Sequence, residues 1–178
     1  AFIVDSPRVA PDGAVWFGSW GQGLWRYDPR RVGPGSMQHW TTDDGLPDNV
    51  VWSVEFAPEG VVWISTLSGA SRFDGVGFIN FSRNDGLADD HVSVIDHDAG
   101  GLLWFATQAG LTRYDPTTAV TFTTADGLPA NRIRGSVRGS GDHLWFATPG
   151  GLSLWDGTSF TTLTTREGLP SNDVRALA

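Results

Sequence analysis

Several side chains in this sequence could do chemistry, and the first question is which. Asp44, Asp85, Asp126 and Glu167 each precede a Gly-Leu pair. Paired carboxylates are tools of general acid–base catalysis, but a chemical role calls for unique residues, and here one position is acidic four times. Asp-Gly is a turn dipeptide: its Asp bonds nearby backbone donors and its Gly takes positive φ. Recurrence therefore assigns these four residues to turns. Asp96, His97 and Asp98, with His91 nearby, offer hard and borderline metal ligands. Successive side chains on a strand point to opposite faces, so His97 is not expected to share a site with both neighbours. There is no Gly-x-Ser-x-Gly elbow and no phosphate-cradling Gly loop leading into a helix. No residue is assigned to catalysis or to a metal, and no cofactor is expected. Binding is better served. Trp20, Trp52, His91, Gln108, Arg132, Arg134 and Arg175 offer ring faces for stacking and forked donors for an anionic or polar ligand.

Composition narrows the partners. The net charge of −8 argues against a nucleic-acid surface, which needs clustered Lys and Arg. Without Cys there are no disulfides and no thiolate–metal sites, which suits an oxidising compartment. No apolar run approaches the ~18 residues of a membrane span, and the first residues form neither a basic segment nor an apolar signal core. The 23 Gly and 9 Trp point to short strands joined by tight turns.

What positions the candidate residues is a repeat. Gly-Leu-Pro, or Gly-Leu-Ala in one copy, opens at Gly45, Gly86, Gly127 and Gly168, three intervals of 41 residues. A second marker, Trp16, Trp63, Trp104 and Trp145, is spaced 47, 41 and 41, which places six extra residues in the first copy, around Arg31 to Met37. Each copy divides into four strand signals. In the second copy these are Val50 to Phe56, Val61 to Thr66, Ala70 to Phe73 and Phe78 to Ser82, separated by turns at Pro58-Glu59-Gly60, Ser68-Gly69 and Asp74-Gly75. No segment carries the 3.6-residue period of a helix. Four strands per period of about 40 residues describe a propeller blade.

The expected fold is therefore all-β: a β-propeller array of ~41-residue, four-stranded antiparallel blades over 1–178. The blades are approximately 2–45, 50–86, 91–127 and 132–168, and 174–178 is an extra innermost strand, the first of a further blade. The Trp strand has three apolar columns in succession, so both faces of each sheet should be covered by neighbours. The Trp column and the column Tyr27, Phe73, Tyr114 and Trp155 read as core. The small columns Gly18, Ser65, Ala106, Ala147 and Ser19, Thr66, Thr107, Thr148 would let blades approach closely near the axis. Five first strands against four of every other kind imply further blades from the same polypeptide or completion by another copy. In an open array, Phe17 and Phe146 would lie on exposed end faces.

The block Asp126-Gly127-Leu128-Pro129, Asn131, Ile133, Leu144-Trp145-Phe146-Ala147-Thr148 and Gly151-Leu152 resembles the two-component-regulator propeller repeat. The resemblance runs through all four copies; the second departs from it at Ala88 and Asp90, a turn variant. It implies the extracytoplasmic sensor region of bacterial hybrid histidine kinases, where such propellers recognise ligands such as glycan fragments.

Function should then lie where the copies differ. One column reads Val50, His91, Arg132, Asp173 and another Trp52, Ser93, Arg134, Arg175, flanking the apolar column Val51, Val92, Ile133, Val174. A third, after the Trp strand, reads Trp20, Leu67, Gln108, Pro149. In propellers these positions gather at one mouth of the channel, and blade-specific polar and aromatic groups on a regular scaffold suit a ligand. The leading expectation is a non-enzymatic ligand-binding sensor, periplasmic or secreted, whose ligand is a small molecule or oligosaccharide; Trp20 and Trp52 would act with Arg134 and Arg175. The alternatives are a propeller lyase resembling streptogramin B lyase, which would need a His with a carboxylate or metal at the channel mouth, where His91 is the only His in a mouth-like column, and a protein-interaction scaffold.

Overall fold

The computed structural model describes residues 4–57, 60–141 and 143–177. Among them are sixteen strands in four antiparallel four-stranded sheets, each a simple meander. The first sheet comprises β1 (Val4–Val9), β2 (Val15–Ser19), β3 (Leu24–Tyr27) and β4 (Met37–Trp40). The second comprises β5 (Val51–Phe56), β6 (Val62–Thr66), β7 (Gly69–Phe73) and β8 (Phe78–Phe81). The third comprises β9 (Val92–His97), β10 (Leu103–Thr107), β11 (Leu111–Asp115) and β12 (Thr118–Phe122). The fourth comprises β13 (Gly135–Arg138), β14 (Leu144–Thr148), β15 (Gly151–Trp155) and β16 (Phe160–Leu163). These are the four expected propeller blades, with strands of the second copy bounded within one residue of the positions read from turn chemistry. Phe2 and Ile3 at the start of the first expected blade, and Pro58, Glu59 and Ala178, lie outside the described residues.

The chain divides into two compact units: Ala1–Ser82 with Asp90–Val92, and Arg83–Asp89 with Ser93–Ala178. Each has one core, made where two blades meet. In the first, Trp16 and Leu24 from one sheet pack with Val62, Ile64 and Phe73 from the next. In the second, Trp104 and Leu111 pack with Leu144, Phe146 and Trp155. The period-2 alternation explains both: the Trp of one blade's second strand points forward, and the residues flanking the equivalent Trp in the next blade point back.

That alternation corrects two expectations. Phe146 does not lie on an end face; it is fully buried, 5.6 Å from the Trp104 ring, and its half-buried neighbour Trp145 faces the other way. Tyr27 is not core but 39% exposed, because its sheet face packs against no other sheet within its unit. Phe17, on that same face, is half-buried and stacks on Trp25. The first copy's extra residues also divide differently. The β3–β4 connection has nine residues (28–36) against four (74–77) in the next blade, and one further residue sits in the loop carrying Trp20. At the C-terminal end, Val174 N–H donates to the Thr148 carbonyl at 3.0 Å, as Ile133 N–H does to Thr107 at 2.9 Å on the way into β13. Residues 174–177 have no partner strand among the described residues.

The recurrent acidic residues close the blades. Asp44 accepts from the Thr41 amide at 2.9 Å and Asp126 from the Thr123 amide at 2.8 Å, each completing a capping box ahead of a glycine at φ 110° or 105°. Glu167 does the same for Thr164 at 2.8 Å. Ser19, Thr66, Thr107 and Thr148 do more than keep blades close: each hydroxyl donates to a carbonyl across the following turn, at 2.7–2.9 Å, and is fully buried.

Two hairpin carboxylates carry a pH dependence. Asp115 accepts from both the amides and the hydroxyls of Thr117 and Thr118, which lowers its pKa from 3.8 to about 2. Asp156 is likewise lowered to about 2 by Ser159 and Thr158. A carboxylate depressed in the folded state stabilises it above the unfolded pKa, and that contribution disappears as pH falls from about 3.8 through about 2. The denaturant midpoint is expected to drop across this window, and to drop less in an Asp115→Asn, Asp156→Asn double variant; an equal drop in both proteins would refute the assignment.

Candidate functional site

In the first unit, backbone bonds tie the loop after β2 to the segment entering β5. Gly21 and Gly23 both donate to the Asn49 carbonyl, at 3.1 and 2.8 Å, and Trp20 forms an isolated antiparallel bridge with Val50. Asp48 locks the same corner, accepting from Val50 N–H at 2.7 Å and from the Ser68 hydroxyl at 2.6 Å. The ladder then slips: Val51 pairs with Thr66 and Ser53 with Ser65, so Trp52 is the unpaired residue of a bulge. A bulge re-aims its side chain and breaks alternation, which is why Val51 and Val54 can both be buried.

The re-aimed Trp52 ring meets Trp20 edge to face at 5.0 Å between centroids, with the planes at 79°. It stacks on His91 at 5.5 Å and 17°. Three residues from the three blade-specific columns, separated by up to 71 positions, thus form one aromatic cluster. Trp20 is 54% exposed, Trp52 and His91 are half-buried, and the Trp52 Nε1–H is buried without a hydrogen-bond partner.

In the second unit, Gln108 is half-buried just after β10 and Arg132 is exposed. Arg134 forms an ion pair with Asp173 and donates to the Val174 carbonyl at 3.3 Å. Arg175 Nε donates to the other Asp173 oxygen at 3.1 Å. The hydrogen bonds from Arg134 and Arg175 hold the Asp173 carboxyl below its ordinary pKa. Two of the three candidate arginines are therefore already engaged by one carboxylate, itself a member of the variable columns. The aromatic group and the arginine group lie in separate units.

The Asp96–His97–Asp98 run separates in part. Arg138 donates to His97 Nε2 at 2.8 Å and lies 3.4 Å from Asp96 Oδ1, so these two neighbours do reach one group. The expected opposition fails there because His97 is the last residue of β9, where the pleat no longer governs direction. Asp98 turns away to the Leu102 amide and the Trp104 indole N–H, at 2.9 and 3.2 Å. Sequence reasoning did not anticipate Asp48 or the bulge. The signal for the bulge was present: two apolar columns three residues apart break the period of 2.

Residues 45–68, from the first Gly-Leu-Pro through the Trp63 strand, match the family described as two component regulator propeller, which bears out the resemblance read from the repeat. No curated protein matches the chain in sequence. Solved structures match in fold. The extracellular domain assigned to the hybrid two component system BT3049 of B. thetaiotaomicron superposes with a TM-score of 0.86 at 21% identity, over 98% of this chain and 25% of that one. That assigned to BT4673 of the same organism gives 0.76 at 20%, over 97% and 24%. Virginiamycin B lyase from Staphylococcus aureus gives 0.76 at 19%, over 97% and 58%. The chain spans about a quarter of the two sensor structures. Its likeness to all three is one of fold: it is a propeller segment like the extracellular regions of hybrid two component systems. No helix among the described residues is long and apolar enough to cross a membrane.

Proposed function

We propose that this chain is a non-enzymatic, ligand-binding segment of an extracytoplasmic sensor propeller, and that Trp20, Trp52 and His91 form its binding surface for carbohydrate rings such as glycan fragments. The observation that carries the reading is the bulged Trp52, which is held between Trp20 and His91 in one partly exposed aromatic cluster. Flat aromatic faces take the apolar faces of sugar rings, and Trp20, the exposed member of the cluster, offers such a face. The cluster sits on backbone that Asn49 and Asp48 hold in place, so little order remains to be gained on binding. The likeness of fold to sensor regions supports the setting, and signalling would depend on the output machinery to which such a segment is joined. The arginine group is a second contact surface for acidic sugars, with Arg132 the residue free to act, since Arg134 and Arg175 are held by Asp173.

Titration of intrinsic Trp fluorescence with neutral and acidic oligosaccharides tests this. A saturable change is expected for at least one class. Trp20→Ala and Trp52→Ala are each expected to weaken binding tenfold or more, about 1.4 kcal/mol, as for a buried aromatic anchor. Failure of every glycan class to perturb the spectrum, or unchanged affinity in both variants, would sink the proposal.

A further inference from the structure

The hairpin leading into the Trp strand is built around a carboxylate, and two blades place that carboxylate differently. In the first unit Asp12, four residues before Trp16, accepts from the Ala14 amide at 2.9 Å and from Arg26 Nη2 at 2.7 Å. Arg26 pairs with Trp16 across the ladder, lies over its ring at 5.9 Å and also donates to Gln38 Oε1 at 2.9 Å. Its fork thus has two acceptors.

In the second unit the carboxylate stands two residues earlier. Asp98 accepts from the amide of Leu102, the counterpart of Ala14, at 2.9 Å and from the Trp104 indole at 3.2 Å, while the position of Asp12 is held by Gly100. Arg113, the counterpart of Arg26, faces Val120 across the ladder where Arg26 faces Gln38. Both acceptors are gone. The half-buried Arg113 lies over the rings of Trp104, Phe122 and Trp155 at 5.7–5.9 Å, and among the described residues it makes no hydrogen bond or ion pair.

The repeat marks Arg113 as the exception of its column. In the first two copies an acidic residue four before the Trp accompanies the arginine, Asp12 with Arg26 and Glu59 with Arg72. The fourth copy has neither, with Gly141 and Leu154 in their places. Only the third keeps the arginine without the acid.

Where the carboxylate is missing there is space. A cavity of about 350 Å³ opens between the third and fourth sheets, inside one unit, and its walls include Asp98, Gly100, Leu102, Arg113 and Trp155. Small-molecule sites start at about 300 Å³. The cavity lies at the turn before β10, at the opposite end of that strand from Gln108 and so apart from the variable columns.

We propose that this cavity binds a small organic carboxylate, whose two oxygens meet the Arg113 fork as Asp12 meets Arg26. Trp155 and Leu102 offer a wall to the apolar body of such an acid. Asp98 faces the same space, and its repulsion grows with the charge of the anion, which favours a singly charged carboxylate over sulfate or phosphate. This site is independent of the cluster of Trp20, Trp52 and His91.

Two-dimensional proton–nitrogen NMR spectra, which resolve the Trp indole N–H groups, test this during titration with sodium lactate and sodium propionate. Lactamide and sodium sulfate are the controls. A saturable shift of the Trp104 or Trp155 indole signal is expected for at least one carboxylate, with none for lactamide and a weaker one for sulfate. Arg113→Leu, which installs the residue type of the fourth blade, is expected to weaken binding about tenfold or more. Asp98→Ala combined with Gly100→Asp reproduces the residue types of Ala10 and Asp12, and is expected to abolish the response because the chain then supplies the carboxylate itself. Should one variant fold poorly by circular dichroism, the other decides. No saturable shift with either carboxylate, a response to lactamide or sulfate as strong as to the acids, or binding that survives in the folded variants would each overturn the proposal.

Discussion

Replacing Trp104 with alanine is expected to destabilise the second unit by about 3–5 kcal/mol, the range for truncating a large buried aromatic side chain. Trp104 is 1% exposed, and its ring lies within 5.2–5.6 Å of Phe122, Phe146 and Trp155. Three further consequences push the cost to the upper end of that range. The indole N–H bond to Asp98 at 3.2 Å disappears, the Arg113 guanidinium loses one of the rings it lies over, and the surrounding rigid rings cannot collapse into the void. A whole domain is held together by only about 5–15 kcal/mol, so this one change removes a large share. Chemical denaturation followed by far-UV circular dichroism should show the midpoint for this unit fall sharply. Trp104→Phe, which keeps part of the ring volume, should lose less than half as much. A Trp104→Ala protein within 1 kcal/mol of the unmodified chain would show that this residue is not the centre of its core.

The role of Trp104 was legible in the sequence, and the reason is periodic. A residue that builds a blade must recur, so four Trp and four Gly-Leu corners announce both the strand order and the core. The same logic misplaced Tyr27, because a repeat predicts what a position does when a neighbour is present, and the backward face of β1–β4 has none within its unit. It misplaced Phe146 for a related reason: apolar columns in succession reveal that both faces are covered but not which residue serves which face. The candidate site was legible as a set of columns that vary, and Trp20, Trp52 and His91 do come together. Its geometry was not legible. Trp52 reaches its neighbours only through a bulge, and a bulge appears in sequence as nothing more than a missed beat in the alternation. The pairing of Arg134 with Asp173 joins residues 39 positions apart, and no local pattern encodes it.

The column of small residues after Phe17 holds the most demanding position in the first unit, and Gly18→Val is expected to cost about 3 kcal/mol or more. A Cβ at Gly18 would lie 2.4 Å from the Val51 carbonyl oxygen and 2.7 Å from its Cγ1. Backbone cannot yield as the end of a flexible side chain can, so the two blades must separate, and overpacking of this kind costs about 1–3 kcal/mol before the extra methyl groups of valine are counted. Sequence alone groups Gly18 with Ser65, Ala106 and Ala147 as merely small; only the close approach of Val51 makes it a position for glycine. The control is Gly35→Val, at a residue where an added Cβ meets nothing within 4 Å, and it is expected to stay within about 0.5 kcal/mol. The position of the damage gives a second readout. Val51 is the residue immediately before bulged Trp52, so a displaced β5 carries Trp52 away from Trp20. Gly18→Val should therefore alter the Trp fluorescence and abolish any oligosaccharide response under conditions where circular dichroism still reports folded sheets. If Gly18→Val matches Gly35→Val in both stability and fluorescence, then the approach of Val51 is not what requires glycine there.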